Sequence, residues 1–118
     1  MSGIIPAVVA DTSVLLAVYD RKDEHHERCV AALSHVGMLV VSPMVLVELD
    51  YHLHRRVGTR AAIEAAASLG AWAGVGRAEF VQVTRPLHAE AVELMRTYAD
   101  HAIGLTDALN AVIAWRLP

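Results

Sequence analysis

Lysine, cysteine and aromatic residues are scarce in this chain, and each shortage argues against a class of protein. Among 118 residues, Lys22 is the only lysine, Cys29 is the only cysteine, and aromatic residues make up 5%. A single cysteine cannot form an internal disulfide, which excludes a small secreted scaffold held by bridges and favours a reducing cytoplasm. The scarcity of lysine and the net charge of −3 argue against a broadly basic surface that attracts nucleic acid.

Long apolar runs are also missing. The longest largely apolar stretch, residues 36–47, is interrupted by Pro43 and falls short of the about 20 residues that a membrane-spanning helix needs. No Lys or Arg precedes Arg21, and Asp11 breaks the first apolar stretch, so the amino terminus is not typical of a signal peptide. We therefore expect a cytoplasmic protein that does not associate with membranes.

The composition and the order of local patterns predict one α/β domain. Apolar residues make up 55% of the chain, and much of this share is alanine, which together with few aromatics is typical of helix-rich α/β proteins. Apolar runs predict strands in residues 4–11, 38–42 and 78–83, and helical periodicity fills the segments between them. Such alternation favours a parallel sheet with helices on both faces.

Several helix ends are predicted from glycine, threonine and proline. We expect a helix after residue 24 to stop at Gly37 and a further helix to begin with Ser42 and Pro43. Thr59 is expected to cap an alanine-rich helix that ends near residue 69, with the glycine-spaced "GAWAGVGR" forming a loop. Thr106 is expected to cap the last helix.

Asp11 lies in the middle of the apolar stretch "VVADTSVLLA", residues 8–17. This position is the carboxyl end of the first predicted strand, where open α/β sheets bind their ligands. Alternatively, Asp11 only caps the helix that follows, a role that Thr12 or Ser13 could also take. The local pattern leaves a ligand-binding role and a capping role open.

Two further acids occupy positions in predicted helices. Glu48 interrupts the apolar "MVLVEL", where a carboxylate is unfavourable unless it is paired or binds a cation. Arg55 or Arg56 could supply the pairing charge. Asp107 follows Thr106 at the start of the last helix, where the helix dipole alone favours a negative charge. Each of these acids has a purely structural explanation when it is considered alone.

The three acids together predict a cation site. A parallel α/β sheet can bring a strand end, a mid-helix position and a helix start to one rim, although Asp11, Glu48 and Asp107 are far apart in sequence. Carboxylates about 4 Å apart repel by about 4 kcal/mol at an effective dielectric constant of about 20, so such a cluster needs a cation or a shared proton. Oxygen ligands without cysteine or histidine favour Mg²⁺ or Mn²⁺ over zinc. We expect supporting hydrogen bonds to the carboxylates from nearby hydroxyls, those of Thr12, Ser13 and Thr106.

Three blocks of the sequence resemble the signature blocks of the PIN domain, in particular of the VapC-type ribonuclease toxins of bacterial toxin–antitoxin pairs. The blocks are "VVADTSVLLA", "SPMVLVELDYHL" and "IGLTDALNAVIAWRL", in this order over nearly the whole chain. The resemblance implies a three-layer α/β/α fold with a mostly parallel central sheet. It also implies a metal-dependent endoribonuclease that hydrolyses RNA phosphodiester bonds with metal-activated water, in which Asp11, Glu48 and Asp107 match the metal-binding acids. Further implied partners are a second copy of the chain in a homodimer and an antitoxin whose carboxy-terminal segment lies over the active site.

The resemblance is incomplete at the carboxyl end. Family members usually continue past the last helix into another strand with a further acid, commonly within a "T-x-D" stretch, whereas this sequence stops at Pro118. We therefore expect a single PIN-like domain over residues 1–118 that lacks the usual final strand. Asp100 either helps to bind metal or is a loop residue. An alternative function is a PIN-like module that binds antitoxin or RNA without cleaving it.

The remaining motifs were compared with other functions. Arg55, Arg56 and Arg60 cluster in "HRRVGTR" and either bind the RNA backbone, because guanidinium matches phosphate geometry, or form a solvated helix end. A haloacid-dehalogenase phosphotransferase needs a second aspartate where this chain has Ser13, and a response-regulator receiver needs paired early acids. Both also need a later lysine. A P-loop and a G-x-G-x-x-G motif are absent from the sequence, and a structural subunit whose acids only cap helices is the third interpretation.

Overall fold

A computed structural model describes residues 4–118 and contains a parallel three-stranded sheet in this part of the chain. Its strands, in the spatial order β1-β2-β3, are β1 (Ile5–Val9), β2 (Val36–Val41) and β3 (Ala78–Phe80). Both pairings are parallel, with Val9 opposite Val40 in the first. The carboxyl ends of all three strands therefore meet at one edge of the sheet.

Helices occupy most of the remaining described residues. They are α1 (Thr12–Tyr19), α2 (His26–Leu33), α3 (Pro43–Arg56), α4 (Thr59–Gly74), α5 (Arg85–Thr97) and α6 (Leu105–Arg116), with a 3₁₀ turn at Ala99–His101. The Ser-Pro pair begins α3 as predicted: the Ser42 hydroxyl accepts a hydrogen bond of 3.1 Å from the Met44 backbone N–H, and Pro43 takes the first helical position. Within residues 4–118, no helix combines the length and apolar character that crossing a membrane requires.

The sheet is the middle of three layers. Alternate residues of β2 point to opposite faces, so Leu39 and Val41 pack with α1, α3 and α4, whereas Val40 packs with α5 and α6. Helices cover both faces, which explains why the strand sequences are continuously apolar. The predicted three-layer α/β/α fold with a parallel central sheet is confirmed.

The predicted helix stop at Gly37 is wrong. The helix ends at Leu33, and Gly37 lies inside β2. A Cβ atom added at Gly37 would come within 2.9 Å of the Pro6 carbonyl oxygen in β1. The glycine therefore allows the two strands to approach closely, and its role is in the sheet rather than at a helix end.

Two other predicted boundaries are also wrong. The segment 70–77 is mostly helical, because α4 continues to Gly74. Trp72 packs against the core, and this contact offsets the roughly 1 kcal/mol by which each glycine disfavours a helix. The third strand ends at Phe80 rather than at residue 83, since β3 lies at an edge of the described sheet with one neighbouring strand.

Candidate active site

Asp11 directly follows the buried end of β1 and occupies the N-cap position of α1. Its backbone is extended, with φ −97° and ψ 142°, yet its side chain makes no capping hydrogen bond. Instead, Oδ2 accepts a hydrogen bond of 2.8 Å from the Ser13 hydroxyl. The residue is exposed. The capping interpretation therefore does not describe this carboxylate, which is accessible at the carboxyl edge of the sheet.

Glu48 connects three helices through its two carboxylate oxygens. The Thr12 hydroxyl donates to Oε1 at 2.7 Å, and the Thr106 hydroxyl donates to Oε2 at 2.9 Å. Glu48 is partly buried on α3, and a carboxylate in such a place needs donors or a counter-charge to offset its lost hydration. Hydroxyls from α1 and α6 provide the donors, and the ion pairs within residues 4–118 do not include Glu48. The arginine partners considered from the sequence are therefore not the ones that the fold uses.

The same two hydroxyls bring the segments that carry the other acids to Glu48. Thr12 follows Asp11 at the start of α1, and Thr106 precedes Asp107 in the first turn of α6. Asp107, like Asp11, is exposed. The fold thus gathers three acid-bearing segments from distant parts of the sequence, with the carboxylate of Glu48 between them.

Neither threonine that was predicted to cap a helix does so. The N-cap of α6 is Gly104 and that of α4 is Gly58, and neither helix has a side-chain cap. The Thr106 hydroxyl is engaged by a carboxylate of another helix. Gly58 has a φ of 137°, a backbone conformation that glycine adopts most readily, so the chain turns there and α4 begins at Thr59.

Asn110 is a polar contact that the sequence reasoning missed. Its Nδ2 donates a hydrogen bond of 3.1 Å to the carbonyl oxygen of Ala10, the residue before Asp11. Its Oδ1 is buried and has no hydrogen-bond partner among the described residues. A signal was available in the sequence, because Asn110 follows Asp107 by one helical turn within the apolar "ALNAVI".

The three arginines are exposed in α3 and at the start of α4. Arg55 Nη1 donates to the Tyr51 hydroxyl at 2.7 Å, and Arg55 Cζ lies 5.5 Å from the centre of the Tyr51 ring. Glu48, Tyr51 and Arg55 are spaced by three and four residues and therefore share one face of α3. Arg56 ends α3, and Arg60 lies in the first turn of α4. Tyr51 was not identified from the sequence, although it is an exposed aromatic residue one turn from Glu48.

The donor atoms at this place suit a hard divalent cation by chemical type. Carboxylate oxygens are the ligands that Mg²⁺ and Mn²⁺ prefer, and a carboxylate that accepts two hydrogen bonds keeps further lone pairs for a metal. Within residues 4–118, however, no three His, Cys, Asp or Glu side chains are grouped so that they could hold a metal ion. Asp100 is exposed in the 3₁₀ turn. The fit to a metal thus concerns the kind of ligand and not a preformed cluster.

Comparisons with known proteins agree with this fold and these positions. Residues 8–117 match the PIN domain family. Ribonuclease VapC26 of Mycobacterium tuberculosis (strain H37Rv) is 38% identical over 114 residues, which span 92% of this chain and 78% of that protein. The crystal structure of Mycobacterium tuberculosis VapC20, described as a sarcin-ricin loop cleaving toxin, matches with a TM-score of 0.79 and 26% identity over 91% of this chain and 79% of that one. Metal binding is a general property of PIN nucleases. Because the family match includes the strand end, the mid-helix position and the helix start that carry the three acids, the chain belongs to the PIN-domain family.

Proposed function

We propose that Asp11, Glu48 and Asp107 form the active site of this chain and that a divalent cation, Mg²⁺ or Mn²⁺, acts there. The chain is a PIN-domain endoribonuclease toxin of the VapC type, as its family and its similarity to a VapC ribonuclease and an RNA-cleaving VapC toxin support. One observation carries the assignment of the residues. The Glu48 carboxylate accepts hydrogen bonds from the hydroxyl next to each of the other two acids.

Each side chain has a distinct role in this proposal. Asp11 and Asp107 are exposed and bind the cation directly, whereas Glu48 binds it through water or holds a second ion. A bound cation supplies activation of water and stabilisation of charge on the scissile phosphate. The hydroxyls of Thr12 and Thr106 hold the Glu48 carboxylate in one orientation, because partners outside the ligand set fix the direction of the ligands.

RNA binding is assigned to Arg55, Arg56 and Arg60. A guanidinium group forms paired hydrogen bonds with phosphate, and contacts of this kind position a protein on a nucleic acid without reading its sequence. Arg55 has the strongest support, because Tyr51 holds it on the face of α3 that also carries Glu48. An exposed tyrosine in this place can stack on an unpaired RNA base.

The proposed partners follow from the VapC type. They are a cognate antitoxin protein, an RNA substrate and a second copy of the chain in a homodimer, all in the cytoplasm. Light scattering of the purified chain tests the dimer, which has about twice the 12.8 kDa mass of one chain. A mass of one chain at micromolar concentration contradicts this part of the proposal.

Cleavage of total RNA by the purified chain tests the proposed site. We expect the wild type to cut at few positions with Mg²⁺ or Mn²⁺ and to stop when a chelator is added. Asp11→Asn removes a charge with almost no change of shape and abolishes cleavage. Asp50→Asn is the matched control, because Asp50 is an exposed acid on α3 outside the proposed site, and this variant keeps full activity.

A second readout does not depend on catalysis. Mn²⁺ raises the melting temperature of the wild type and of Asp50→Asn but has little effect on Asp11→Asn, since a ligand stabilises the state that binds it. Cleavage that survives chelation, or full activity in Asp11→Asn, overturns the proposed site. A wild type that neither cuts RNA nor melts at a higher temperature with Mn²⁺ supports instead a PIN-like module that binds antitoxin or RNA without cleaving.

A further inference from the structure

We infer that Asn110 is a positioning residue of the nuclease site, because it ties the helix that carries Asp107 to the strand end that carries Asp11. The Asn110 side chain donates from Nδ2 to the Ala10 carbonyl oxygen at 3.1 Å. The inference rests on the proposed active site, since it takes Asp11 and Asp107 as two of its acids.

The Ala10 carbonyl group needs this donor. Ala10 is 4% exposed and follows the last residue of β1. Its N–H continues the pairing with β2 by donating to the Val40 carbonyl oxygen at 2.8 Å. A buried polar group left without a partner costs about 1–3 kcal/mol. Asn110 therefore satisfies a buried backbone oxygen one residue before Asp11.

The other end of the amide indicates that apolar packing does not explain this residue. Asn110 Oδ1 is buried without a hydrogen-bond partner within residues 4–118, which is unfavourable. Leucine has a similar shape and would carry no unpaired oxygen, and the adjacent Leu109 as well as Ile113 are buried on α6. The amide is a disadvantage for packing unless its donor contributes a link that leucine cannot make.

The link acts at the place where the acids must be aligned. Asn110 follows Asp107 by three residues, so the two side chains share a face of α6 one turn apart. Together with the hydrogen bond from Thr106 to Glu48, the bond to Ala10 holds α6 against both α3 and the end of β1. Catalytic groups must be placed to within about 0.5 Å. Loss of the bond therefore leaves all three acids present but lowers the rate of the chemical step.

Asn110→Leu tests this inference, with the wild type assayed on one RNA oligonucleotide in Mn²⁺. We expect kcat to fall roughly 10- to 100-fold, the range found when partners of metal-ligating side chains are lost, while KM for RNA stays unchanged. The rise in melting temperature caused by Mn²⁺ becomes smaller. Asn110→Gln keeps an amide donor on a longer side chain and retains more activity than Asn110→Leu.

Tyr19→Phe is the control for a lost hydrogen bond between elements. It removes the bond of 3.0 Å from the Tyr19 hydroxyl to Ser68 Oγ, which joins α1 to α4 and involves none of the three acids. We expect kcat and the effect of Mn²⁺ to match the wild type. If Tyr19→Phe reproduces the fall in kcat, or if Asn110→Leu keeps wild-type kcat, Asn110 does not position the site.

Two additions make the outcome decisive. If Asn110→Leu does not fold, Asn110→Ala replaces it with the same expectations, because the smaller side chain leaves room for water at the Ala10 carbonyl. Asp11→Asn and Asp107→Asn are assayed in parallel. Activity in these two variants refutes the proposed site and the inference together, whereas their inactivity beside a fully active Asn110→Leu refutes the inference alone.

Discussion

Replacing Glu48 separates the structural contribution of its carboxylate from its proposed chemical one. Glu48→Ala removes the two hydrogen bonds from Thr12 and Thr106, of 2.7 and 2.9 Å. A hydrogen bond to a charged group contributes about 1.5–3 kcal/mol, and we take the lower value because Glu48 is only partly buried. The two bonds then predict a loss of about 3 kcal/mol in the free energy of unfolding. In a domain of this size, that loss lowers the melting temperature by roughly 12 °C.

Glu48→Gln keeps the shape of the side chain and both contacts. Its carbonyl oxygen accepts from one threonine, and its NH₂ group donates to the other, because a hydroxyl can donate or accept. We therefore expect a loss below about 1 kcal/mol in the free energy of unfolding. RNA cleavage is nevertheless lost in both variants, since the negative charge is gone.

Urea denaturation of the wild type and both variants, followed by circular dichroism, measures the two losses. The same preparations are assayed for RNA cleavage at a temperature where all three are folded. Equal destabilisation by alanine and glutamine would refute the hydrogen-bond reasoning. Full cleavage by Glu48→Gln would refute the proposed role of the charge.

Three further predictions concern pH dependence, the close contact of two strands and RNA binding. Burial raises the pKa of Tyr19 above its ordinary value of 10.0, so the stability linked to its neutral form is present below about pH 10 and is lost as the pH rises through the folded-state pKa. Tyr19→Phe therefore loses less stability than the wild type in urea titrations at increasing alkaline pH, and parallel losses contradict this. Gly37→Ala lowers stability by about 1–3 kcal/mol, because its Cβ meets a backbone oxygen at 2.9 Å. Gly70→Ala, with nothing within 4 Å of the added Cβ, raises it by about 0.4–1 kcal/mol, and thermal melts that show the same sign for both variants contradict the contact argument. Arg55→Gln reduces the slope of log Kd against log salt for single-stranded RNA by about 0.7 per phosphate contact, whereas Arg96→Gln, on α5, leaves it unchanged, and an unchanged slope in Arg55→Gln removes this residue from the RNA site.

The layered fold could be predicted from the sequence, whereas some element ends could not. Continuous apolar runs alternate with helical periodicity, and a strand covered on both faces needs such runs. Local glycine signals were misleading at two places. Gly37 lies in β2 because a neighbouring strand approaches it, and α4 continues to Gly74 because Trp72 packs on the core. Packing between elements overrides a local preference of roughly 1 kcal/mol.

The sequence by itself determined which acids stand at a strand end, in an apolar helix and at a helix start, and three motif blocks relate them to one family. Only the tertiary structure decided which partner each acid has. Thr12 donates to Glu48, 36 residues away, rather than to the adjacent Asp11, and Asn110 reaches the Ala10 carbonyl group across 100 residues. The physical reason is that local periodicity sets the face of a helix on which a side chain lies. The distance between two helices depends on every contact by which they pack on the sheet.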